Sequence, residues 1–131
     1  MDSPLAPLPA PLLAALRDRD VVSVTSRAGA RMGTVRMSFA VAPPGVVYLL
    51  TSAFSRKALR WDRDPWVRLT VPGTGVVAEA AVHRVSAGEL DPAAEAAVLA
   101  RFTDAGAATP EALCQLLEVG AHLLFRVEGE P

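Results

Sequence analysis

The stretch Tyr48-Leu49-Leu50-Thr51-Ser52-Ala53-Phe54-Ser55-Arg56-Lys57, with Asp64-Pro65-Trp66-Val67 after it, decides how this chain is read. Val46 to Thr51 is an almost wholly apolar run that reads as a strand buried on both faces. Ser52 to Ser55 breaks the pattern, and Arg56 to Arg63 reads as a short helix with Ser55 as its N-cap. Asp64-Pro65 ends it, because the residue before a proline is pushed out of the helical region. Arg56 and Lys57 therefore fall in the first helical turn, where the positive end of the dipole disfavours each cation by about a few tenths of a kcal/mol. An anion bound there reverses the sign. It would meet free backbone N–H groups, the Thr51 and Ser55 hydroxyls and two cations. Each charge-assisted hydrogen bond contributes about 1.5–3 kcal/mol. Without an anion the same feature is a solvated helix start, with Arg60 and Asp64 spaced to pair along the helix.

Working outward, Pro11 suits the first turn of a helix over 11–18, preceded by an extended Pro-rich arm, residues 1–10. Val21 to Arg27 is β-branched and reads as a strand, followed by a turn at Ala28-Gly29-Ala30-Arg31. Met32 to Ala42 reads as one strand with Thr34, Arg36 and Ser38 on one face and Val35, Met37 and Phe39 on the other. Pro43-Pro44-Gly45 turns the chain into the Val46 strand, so the first three strands read as a meander of hairpins. Trp66 to Val71 and Val76 to Ser86 are further strands. Asp91-Pro92 and Thr109-Pro110 are cap-and-proline starts for helices over Ala93 to Phe102 and 110–118, and Val119 to Glu128 is a last strand. The sum is a mainly β chain, a six-stranded antiparallel barrel in one domain over 11–131.

The run from Val21 to Val85 resembles the flavin-binding split-barrel proteins related to pyridoxamine 5′-phosphate oxidase. The match is carried by Tyr48-Leu49-Leu50-Thr51, three intervening residues, Ser55-Arg56-Lys57, and Asp64-Pro65-Trp66-Val67 opening a strand. The resemblance implies a homodimer with FMN at the subunit interface. It implies a phosphate clamp of Thr51, Arg56 and Lys57 supported by Ser52 and Ser55. It also lays the ribityl chain and ring along Thr34, Val35, Arg36, Met37 and Ser38. Arg31, Arg36 and Arg56 all remain available for the phosphate. Relatives of this kind also bind a deazaflavin cofactor or heme. The reaction implied is hydride or electron transfer to an unspecified small molecule, with a non-catalytic flavin-binding protein as the alternative. The oxidases proper continue beyond this length with a Trp and an Arg that serve flavin and substrate; this sequence has no Trp after Trp66, so those roles are not carried over.

Composition narrows the rest. Net charge is −1 across 131 residues, which argues against a general nucleic-acid or membrane-surface binder. No apolar run approaches the length of about 18 residues that spans a bilayer. The N-terminal segment lacks a basic region, so no signal peptide is expected and the cytoplasm is the expected compartment. One cysteine, Cys114, excludes an internal disulfide and reads as a small buried hydrophobe in a helix. His83 and His122 are too few and too far apart to suggest a metal site and read as surface or satisfied core residues. Asp62 and Asp64 read as a solvated helix end. Trp61 and Trp66 read as core or interface anchors, with flavin stacking as the alternative. Basic residues comprise twelve Arg and a single lysine, Lys57.

Overall fold

A computed structural model describes residues 6–129; of the N-terminal arm, residues 1–5 lie outside the described residues. Helix α1 (Ala10–Leu16) precedes strands β1 (Val21–Ala28), β2 (Arg31–Ser38), β3 (Ala40–Ala42) and β4 (Val46–Ser52). Then follow α2 (Arg56–Arg63), β5 (Trp66–Thr70), β6 (Val77–Val85), α3 (Pro92–Arg101), α4 (Pro110–Glu118) and β7 (His122–Gly129).

All strand pairs are antiparallel, in the order β2-β1-β5-β6-β7-β4-β3. The two edge strands, β2 and β3, are consecutive in the chain and separated only by Phe39. Two residues of chain reach about 7 Å at most. The sheet must therefore curl until its edges meet at that corner. This is a mainly β, barrel-like fold, but it has seven strands where the sequence reads six. The expected strand over Met32 to Ala42 divides because its halves have different partners: β2 pairs with β1 and β3 with β4. For the same reason the first three strands are not a continuous meander.

Two cores share the sheet. Inside the curl lie Val22, Val24, Val47, Leu49, Val67, Leu69, Phe125 and Val127, closed at one end by Leu12 and Leu16 of α1. On the outer face, Val46, Tyr48 and Leu124 pack against Val98 of α3, Leu113 of α4 and Phe102 just beyond α3. β4 contributes to both cores on alternate residues, which explains its continuous apolar run. Each buried Leu or Phe contributes about 1.5–3 kcal/mol through area removed from water.

Both cap-and-proline starts form as read, with Asp91 accepting from Ala94 N (2.7 Å) and Thr109 from Ala112 N (3.1 Å). The described part of the arm is docked rather than free. Leu8 is buried, and Gly129 N donates to the Ala6 carbonyl at 2.9 Å. Cys114 departs from its expected place: it is half-buried, its thiol donates to Glu118 Oε1 at 3.3 Å, and the carboxylate pushes its pKa up. The fully buried neighbour is Leu113. No helix is long and apolar enough to cross a membrane among the described residues.

Candidate functional site

The β4–α2 connection is built as the sequence indicates. Ser55 is the N-cap of α2, accepting from Ala58 N at 3.3 Å, and its hydroxyl lies 3.3 Å from Thr51 Oγ1. Ser52 Oγ accepts from Phe54 N at 3.2 Å, which tightens the loop before the cap. Lys57, in the first turn of α2, is half-buried, and that burial pushes its pKa below the ordinary lysine value.

Lys57 faces a cleft of about 460 Å³ that also takes side chains from β2, β4, the segment after α3, and β7. Of the residues singled out by sequence, Arg36, Met37, Ser38, Thr51, Ser52 and Lys57 line it together. Thr34, Val35, Ser55 and Arg56 lie outside it. Thr34 Oγ1 bonds Thr25 Oγ1 across the β1–β2 ladder at 2.8 Å, Val35 is 42% exposed, and Arg56 projects to solvent. Ser55 acts one step back, through its cap and its contact with Thr51. Of the three arginines left open for an anion, Arg36 is in the cleft, while Arg31 and Arg56 are exposed outside it.

No family model matches the sequence, and no curated protein matches it. Solved structures do. A Listeria innocua protein described as a candidate pyridoxamine 5′-phosphate oxidase superposes at TM-score 0.64 with 15% identity over 92% of each chain. HutZ, described as a heme storage protein from Vibrio cholerae, superposes at 0.62 with 19% identity over 95% of this chain and 92% of its own. An FAD-binding protein from Mesorhizobium loti superposes at 0.61 with 18% identity, covering 92% of this chain and 87% of its own. The fold is the pyridoxamine 5′-phosphate oxidase-like split barrel.

Within this split barrel, three further cleft residues come from segments that carry no motif. Arg101 ends α3 and is held by two backbone carbonyls: its Nε donates to Phe39 O at 3.1 Å and its Nη2 to Asp20 O at 2.5 Å. Asp104 follows it and is the acidic side chain on the wall. His122 opens β7, placed by its pairing with Ser52 of β4. Its Nδ1 is buried without a hydrogen-bond partner among the described residues. A buried polar atom left unpaired costs about 1–3 kcal/mol.

The remaining polar candidates are structural. Trp61 is 3% exposed, meets Phe125 edge-on at 4.8 Å, and donates from Nε1 to Ser26 Oγ at 2.8 Å. Trp66 donates to Glu79 at 3.1 Å and carries the guanidinium groups of Arg27 and Arg68 over its ring at 4.5 and 5.3 Å. Neither indole lines the cleft. Asp64 pairs with Arg27 of β1 at 2.5 Å rather than with Arg60 of its own helix. His83 sits 3.2 Å from Glu128. Among the described residues no group of acidic, Cys and His side chains is arranged to hold a metal.

Proposed function

We propose that this split barrel binds FMN and acts as a flavin-dependent oxidoreductase. The reading is carried by one observation: Arg36, Lys57 and Arg101 converge on a single cleft with the Thr51, Ser52 and Ser38 hydroxyls, against one carboxylate, Asp104. Cations and hydroxyls that gather in a concave site with so little acidic counterweight suit a phosphate. Lys57 and Thr51 hold the phosphate, with Ser52 beside them and Arg36 approaching from β2. Met37 and Ser38 carry the ribityl chain and ring edge, and the His122 imidazole forms part of the wall. When bound, the isoalloxazine ring supplies the hydride or electron transfer.

The chain's own part is to bind and orient. Arg101, fixed by two carbonyls, is preorganised and loses little freedom on meeting an anion. We place the flavin at a homodimer interface. Phe54, in the loop before the Ser55 cap, is 85% exposed, as are Met32 on β2 and Leu59 on α2 to lesser extents. Large apolar side chains left in water next to a site suit cover by a second copy. A chain with one free cysteine suits the cytoplasm.

Heme is the second reading. It is favoured by the imidazole on the cleft wall and by the likeness in fold to a heme storage protein. The absorption spectrum of the purified protein, with mass identification of the released cofactor, separates FMN, a deazaflavin and heme. Colourless protein that takes up no FMN on titration overturns the flavin reading.

A further inference from the structure

A second, larger cavity of about 820 Å³ lies between α1 and the β3–β4 hairpin. It touches the Lys57 cleft only through Arg101, which lines both. Its walls are apolar: Leu13 and Leu16 from α1, and Phe39, Val41 and Pro43 from the hairpin side. Leu13 rests against the turn at Gly45, so closely that a Cβ there would collide with its Cδ1. The helix and hairpin therefore hold the groove at a set width. Val41 leaves 41% of its surface exposed in it.

Its charge is one-sided. Arg17, Arg19 and Arg101 line it, and no acidic side chain does. Arg101 is tied to the carbonyls of Phe39 and Asp20, whereas neither the Arg17 nor the Arg19 guanidinium has an ion-pair partner among the described residues. The cavity falls within the range of about 300–1,000 Å³ for small-molecule sites that combine an apolar wall with a few polar groups. A second copy of the chain is a poorer occupant: a two-fold interface on this patch would gather two sets of guanidinium groups into one interface with no acidic lining side chain to pair them.

We propose that this groove binds an amphipathic organic anion, with its carboxylate at Arg17 and Arg19 and its apolar chain along Leu13, Phe39 and Val41. The carboxylate seat proposed at Arg17 and Arg19 uses no residue of the Lys57 cleft, although Arg101 borders both cavities.

The test is a fluorescence titration of the full chain with dansyl-aminoundecanoate, using dansylcadaverine as a cationic control with the same fluorophore. Saturable binding at one probe per chain is expected, with binding of the cationic control at least about tenfold weaker. The double variant Arg17→Gln/Arg19→Gln weakens the anionic probe by about tenfold or more. Ala14→Trp, an exposed α1 position lining the groove, blocks it while leaving FMN titration and the melting temperature unchanged. Equal binding of the two probes, or unaltered affinity in both variants, overturns the proposal. So does an oligomeric state that changes with Ala14→Trp, which would identify a second copy as the occupant. Stronger binding after deletion of residues 1–5 would identify the chain's own N terminus there, and overturns it equally.

Discussion

Ser52 and His122 face each other across the β4–β7 ladder, and that register brings an imidazole with an unpartnered, buried Nδ1 to the loop that leads to Lys57. A histidine far along the chain thus joins the candidate phosphate clamp. His122→Phe keeps a ring of similar size and removes both nitrogens. FMN affinity, measured by calorimetry, is expected to fall about 10- to 100-fold, the equivalent of one hydrogen bond to a charged partner. The melting temperature of the ligand-free protein should hold or rise, because an unsatisfied polar atom is removed. Unchanged affinity would take His122 out of the site.

Trp61 joins α2 to the barrel in two ways, by its edge-on contact with Phe125 and by its bond to Ser26. Trp61→Ala is expected to cost about 3–5 kcal/mol in urea unfolding, as large-to-small core changes do. Ser26→Ala removes only an acceptor, yet leaves a buried indole N–H unpaired and is expected to cost about 1–3 kcal/mol. With Trp61→Phe as the single change at that position, the double variant Trp61→Phe/Ser26→Ala should be less destabilised than Trp61→Phe and Ser26→Ala summed. A strictly additive cycle would show that the 2.8 Å bond contributes no coupling.

Much of this arrangement was legible in the sequence, for physical reasons that can be named. β4 is buried on both faces, so its apolar run is continuous, and Ser55, Asp91 and Thr109 announce helix starts through local side-chain bonds. The break at Phe39 was not legible. No glycine or proline marks it, and the strand divides because its partner changes, which is a property of the closed sheet. Arg101 and Asp104 were invisible because only packing of α3 over β3 brings them to the cleft. Helical spacing pointed Asp64 at Arg60. As the C-cap, however, Asp64 has extended backbone (φ −144°, ψ 100°), which turns it out of the helix toward Arg27.

That Arg27–Asp64 pair has a pH signature. The bond from the Arg27 guanidinium, foremost among the causes, holds the Asp64 carboxyl below its ordinary value of 3.8. A carboxyl with a depressed folded pKa stabilises the native state above its unfolded pKa and loses that stabilisation as pH falls through the folded value. Asp64→Asn should therefore melt below the parent protein at pH 7. The gap should narrow as pH falls below 3.8 and close once it passes the depressed folded value, where both forms are neutral at this position. A gap of constant size across that range would show that the effect does not come from the carboxylate's charge.

Lys57 gives the sharpest separation of a binding residue from a structural one. Burial lowers its pKa, and the N-terminal end of α2 carries positive dipole charge, so both disfavour the ammonium in the ligand-free protein. The penalty is present below the folded pKa and lifts as pH rises toward 10.5, the ordinary value. An anion in the cleft reverses both effects. Lys57→Met is therefore expected to melt at or slightly above the parent at pH 7 without ligand, while its FMN affinity falls about 10- to 100-fold. Lys57→Arg keeps the charge but replaces a compact ammonium with a planar fork, and intermediate affinity is expected. Melting with and without FMN reads both quantities together, because bound ligand stabilises in proportion to the logarithm of its concentration over Kd. A lysine that merely supports the helix start gives the opposite pair of results, lower stability in Lys57→Met with the FMN-induced shift intact, and that outcome would remove it from the clamp.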